Sequence, residues 1–193
     1  NKWYLSTVAK LLHMDLDFAS WEQYIETNKE AKRAVLRLDA ATSEVSLAYM
    51  TGDFETAIQK AKEILSQDGL PLQYRNVLQS YLIRSVVLSQ PGLSRGELDS
   101  MIDGLTITDP TLAEKTQKMS VALYDLTIAH ESNDYFETLT NEYKYPQLEI
   151  IYYKALNAAI KGDAVRANEL LSQLAEEDER LYVVRMGKGI VSV

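Results

Sequence analysis

The chain has 193 residues, 46% of them hydrophobic and 25% charged, with a formal net charge of -8 and a pI near 4.9. That apolar fraction offsets ordering entropy and excludes a disordered chain, while the acidic balance argues against a nucleic-acid surface, which needs clustered Lys and Arg. The absence of cysteine rules out a disulfide frame, a thiolate metal site and a cysteine nucleophile, and without an apolar run of about 18 residues no membrane insertion by this chain is expected.

Only 8 Gly and 4 Pro punctuate the sequence, and apolar residues recur at three- and four-residue spacing, so an all-α chain of about ten helices is predicted. Helices over Lys2 to His13 and Asp17 to Asn28, carrying Trp3, Leu11, Leu12, Phe18, Trp21 and Ile25, form a predicted N-terminal cap over residues 1–28. A long helix from Lys29 to Met50 ends at Thr51-Gly52-Asp53, where Gly takes the left-handed turn and Asp caps the next helix, Phe54 to Gln67. Pro71 opens a helix to Ser89, which Gln90-Pro91-Gly92 breaks.

Ser94 and Glu97 fit a capping box for a short helix to Asp103. Asp109-Pro110 starts a long one through Met119 and Leu126 to about Glu131. A corner at Asn133-Asp134-Tyr135 leads into a short helix to Tyr143, Pro146 opens the next, and Gly162-Asp163 turns the chain into a helix ending near Glu176. Helical hairpins are thus expected over 29–176. The rest, 177–193, is expected to start helical and fray past Gly187.

Laying the Gly52 corner over the Gly162 corner reveals a repeat. Ala41, Val45 and Ala48 fall on Ile151, Ala155 and Ala158; Asp53 falls on Asp163; Ala57, Ala61 and Ile64 fall on Ala167, Leu171 and Leu174. Small residues at these positions let two antiparallel helices cross closely, and larger ones fill the gaps between hairpins. Segments Ala41 to Leu65 and Ile151 to Leu174 resemble the tetratricopeptide repeat (TPR) family, Thr51-Gly52-Asp53-Phe54-Glu55-Thr56-Ala57 being the best match. Glu44 and Lys154 stand where the family prefers Leu, Ala164 where it prefers an aromatic, and the spacing of the two hairpins is not a clean multiple of its period.

The resemblance implies antiparallel hairpins in a right-handed α-solenoid, or a compact bundle derived from one, across a single domain. It also implies that the first helix of each hairpin lines a concave surface. Tyr152, Tyr153, Leu156 and Asn157, with Tyr49 and Met50 as counterparts, would then face a bound polypeptide. At helical spacing the same residues also suit packing between hairpins, and Ser43 and Ser46 share their predicted face. The family's Lys, Arg and Asn clamp for a peptide carboxylate has no counterpart here.

No local pattern brings unlike catalytic groups together, so a non-enzymatic chain with no cofactor is expected. His13 and His130 lack metal-ligand spacing and read as surface or helix-end residues. Gly187-Lys188-Gly189 lacks the glycine spacing and hydroxyl of a phosphate loop, and Glu176-Glu177-Asp178-Glu179 reads as a solvated face. The expected function is a protein or peptide interaction module or scaffold, with homo-oligomerisation through the apolar C-terminal end open. The alternatives are a peptide-sensing domain of a bacterial transcription regulator, its DNA-binding part preceding Asn1, or the soluble domain of a membrane-anchored secretion or assembly component. The absence of an initiator Met favours a fragment of a longer protein, which leaves the compartment open between cytoplasm and the outer side of a membrane.

Overall fold

The computed structural model describes residues 17–139 and 147–191, and the predicted helix at Lys2 to His13 lies outside them. Ten α-helices run through the described residues: α1 (Phe18–Asn28), α2 (Ala34–Thr51), α3 (Phe54–Leu65), α4 (Leu72–Ser89), α5 (Arg95–Asp103), α6 (Pro110–Tyr124), α7 (Tyr135–Thr138), α8 (Gln147–Ile160), α9 (Ala164–Ser172) and α10 (Tyr182–Val191). Helices α1 to α4 pack in sequence order, and α4 also meets α2 and α6. Helix α5 lies against α4 and α6, α7 bridges α6 and α8, and α10 packs on both helices of the α8/α9 hairpin. No strand occurs among the described residues.

The two corners repeat bond for bond. Gly52 and Gly162 both take φ 80°, a backbone conformation that a Cβ disfavours. The next N–H, of Asp53 or Asp163, reaches Ala48 O at 2.8 Å or Ala158 O at 2.9 Å. Each Asp carboxylate then caps its helix, accepting from Thr56 N at 3.2 Å and from Arg166 N at 3.0 Å. Behind the corners Ala57 and Ala167 are buried, at 0% and 5% exposure. Ala57→Trp should therefore overpack the crossing and cost about 1–3 kcal/mol or more, read as a lower midpoint in urea; an unchanged midpoint would contradict the close crossing.

Other sequence-level boundaries also hold. Ser94 and Glu97 form the capping box, and Asp109 accepts from Thr111 N and Leu112 N ahead of Pro110. The differences have local causes. Helix α2 starts at Ala34 instead of Lys29, because the Arg37 guanidinium donates to the Ala31 and Lys32 carbonyls, at 2.6 and 3.1 Å, and holds the preceding turn.

Helix α6 gives way to a π-turn over Asp125–Ala129 and ends at His130, at φ 54°, short of Glu131. There Thr127 Oγ1 donates back to Leu123 O at 2.6 Å, while Glu131 N reaches Asp125 O at 2.8 Å, which widens the last turn. Helix α7 is a single turn, and the predicted extension to Tyr143 falls outside the described residues. Helix α9 stops at Ser172, before Glu176.

The C-terminal stretch corrects the expectation of fraying past Gly187: α10 continues to Val191. A Cβ on Gly187 would lie 2.9 Å from Leu174 Cδ1 and 3.4 Å from Leu171 Cδ2, so the missing side chain lets α10 press onto α9. Leu181, Val183 and Val184 are fully buried, and each large apolar side chain so placed contributes about 1.5–3 kcal/mol. The segment also reaches the N-terminal helices α1 and α2. Arg185 Nη2 donates to Thr51 O at 2.5 Å, and the Arg180 guanidinium lies 4.8 Å from the Phe18 ring centroid.

Candidate functional site

Where α2, α4, α8 and α10 meet, the interior is polar. Glu149, from the first turn of α8, is 1% exposed. Its Oε1 accepts from Tyr49 Oη at 2.5 Å, with Tyr182 Oη at 3.5 Å, and the Tyr182 and Tyr153 hydroxyls hydrogen-bond each other. Arg84 of α4, 6% exposed, lies over the Tyr49 and Tyr81 rings at 4.8 and 4.6 Å from their centroids and donates through Nε to Ser80 O. Burial pushes the Glu149 carboxyl above its ordinary range, and Arg84 and the tyrosine hydroxyls oppose that rise. Burial, reinforced by Glu149, likewise raises the Tyr49 phenol. The group is enclosed and ties four helices together.

The residues that the family resemblance assigns to a partner-facing surface lie in or beside this interior. Tyr49 and Tyr153 are fully buried, Met50 is 1% exposed and Tyr152 4%, and burial pushes the Tyr152 phenol up to about 12. Asn157, at 1%, accepts the Asn133 N–H at 2.9 Å and donates to Asp134 Oδ1 at 3.0 Å, fixing the corner that follows the π-turn. Leu156 alone of the six keeps appreciable surface, in a dent of about 210 Å³ beside Ala159 and Asn168. The structure thus gathers Tyr49, Tyr153 and Tyr182 into one internal cluster and presents no open face made of the six.

Other sequence candidates are solvated. His130 is an exposed helix-end residue, and His13 lies outside the described residues. Residues 176–179 are exposed, with Asp178 paired to Arg180 and Glu179 to Lys188. Among the described residues no three His, Cys, Asp or Glu are placed to share a metal ion, and no helix is long and apolar enough to cross a membrane.

A larger open concavity lies elsewhere. It is a groove of about 860 Å³ between the N-terminal half of α2 and the α3–α4 connection. Val35 and Leu38 on α2, with Ile64 and Leu70, form its apolar wall; Lys29, Arg37, Gln67, Asp68 and Gln73 add polar atoms. The turn at 29–33 that delays α2 frames one end. Asp39 and Tyr74, both half-buried, are hydrogen-bonded to each other inside it. Just beyond, Leu72 is 58% exposed.

The helical spacing of Val35, Leu38 and Asp39 is visible in the sequence, yet nothing there reveals that α3 and α4 leave this stretch uncovered. Comparison with family models, with characterised proteins and with solved structures finds nothing that matches this chain.

Proposed function

We propose that this chain is a non-enzymatic interaction module of TPR-like helical hairpins that holds a segment of another polypeptide in the α2/α3–α4 groove. The observation that carries this reading is the groove itself. Its volume lies within the range of about 300–1,000 Å³ typical of ligand pockets, and an apolar wall with a few polar groups suits side chains flanked by peptide bonds. The alternative surface, along the first helices of the repeated hairpins, is less favoured because its aromatic residues, Tyr49, Tyr152 and Tyr153, are buried in the interior.

The test is selection of short random peptides displayed on phage against the full chain, followed by fluorescence anisotropy of the labelled binders. Leu38→Arg, which puts a charge on the apolar wall, should weaken a selected peptide by about tenfold or more, in line with the loss of one buried anchor, while far-UV circular dichroism stays unchanged. Failure to select any peptide, or binding untouched by Leu38→Arg in a folded protein, would sink the proposal.

A further inference from the structure

Asp39 is a half-buried carboxylate facing the groove, and among the described residues no cation is bonded to it. The two basic groups that line the groove are engaged elsewhere: Lys29 pairs with Glu26, and Arg37 donates to the Ala31 and Lys32 carbonyls. Tyr74 donates one hydrogen bond to Asp39, which leaves acceptor capacity on a carboxylate that offers about four lone-pair positions. Burial raises the Asp39 pKa against the pull of Tyr74, as it must for a carboxylate partly removed from water without a counterion. The Tyr24 hydroxyl, buried and without a hydrogen-bond partner among the described residues, lies within electrostatic reach of Asp39.

Resting on the groove reading above, we propose that Asp39 and Tyr74 form a specificity pocket for a Lys or Arg side chain of the bound polypeptide, flanked by apolar residues that lie on Val35, Leu38 and Leu70. Charge complementarity selects this occupant. A cation supplies the missing partner of Asp39, and the long aliphatic stem of Lys or Arg covers the adjacent wall. An acidic segment would bring like charge against both Asp39 and Asp68.

The experiment uses the peptides selected on the full chain, each labelled with fluorescein, and a counterpart in which every Lys or Arg is replaced by norleucine. Selected peptides should be enriched in Lys or Arg. Asp39→Asn, which keeps an acceptor for Tyr74, should weaken them by about 10- to 100-fold, as expected for loss of a charge-assisted hydrogen bond. The norleucine counterparts should bind the native chain that much more weakly and ignore Asp39→Asn. Peptides that need Leu38 but show no preference for a cation, in either the protein or the peptide substitution, would overturn the pocket and leave the groove standing. Binding that ignores Leu38→Arg, or no binding at all, would overturn both.

Discussion

Glu149→Ala is expected to cost about 3–5 kcal/mol, the range for removing one member of a buried charged network, and so to consume much of the roughly 5–15 kcal/mol that holds a domain folded. The substitution strips the Tyr49 hydroxyl of its acceptor, removes the carboxylate that offsets buried Arg84, and opens a void among side chains that are 0–7% exposed. For a chain of this size the melting temperature should fall by about 6–20 °C. Glu149→Gln keeps an oxygen for Tyr49 and should cost less. A melting curve unmoved by Glu149→Ala would mean that the cluster does not hold the four helices together.

The two forms of this carboxyl also make a signed prediction with pH. Glu149 has a folded pKa above its ordinary 4.5, burial being the largest cause. The folded protein therefore binds this proton more tightly than the unfolded chain does. The stabilisation from this site is fully present below pH 4.5 and is lost as pH rises through the folded value. The stability of the native chain relative to Glu149→Gln should accordingly increase on acidification across that window, measured by urea unfolding at a series of pH values. A relative stability that falls on acidification would place the folded pKa below 4.5.

What could be read from sequence divides along a physical line. Gly52-Asp53, Gly162-Asp163, Ser94 with Glu97, and Asp109-Pro110 each fix their own local geometry, so helix starts and corners were legible without knowledge of the neighbours. The rest depends on residues distant in the chain. Glu149 and Arg84 look like ordinary helix-surface charges until α2, α4, α8 and α10 close around them, although Glu149, Tyr152 and Tyr153 do share one helical face. Periodicity marks Tyr49 and Tyr153 as facing something, and only packing decides between core and groove. Gly187 reads as a helix breaker by propensity, yet the close approach of Leu174 keeps α10 helical past it.

Gly52→Ala and Gly162→Ala should separate backbone strain from that kind of distant packing. Both glycines sit at φ 80°, so each alanine meets the left-handed penalty of about 1–2 kcal/mol. Nothing lies within 4 Å of a Cβ at Gly162, and the loss there should stop at that penalty. At Gly52 the new Cβ would stand 2.8 Å from Tyr182 Cβ and 3.2 Å from Arg185 Nη2, and overpacking adds about 1–3 kcal/mol. Tyr182 cannot yield cheaply, because its ring meets Phe54 at 5.2 Å and Tyr49 at 5.9 Å between centroids and its hydroxyl is held by Tyr153. The relief left to the structure is to lift α10 off the corner. Amide hydrogen exchange at Val183 and Val184 should therefore accelerate in Gly52→Ala and much less in Gly162→Ala, beyond the difference in global stability. Equal losses with equal exchange in the two variants would show that α10 does not rest on the first hairpin, and that the two corners differ in nothing but position.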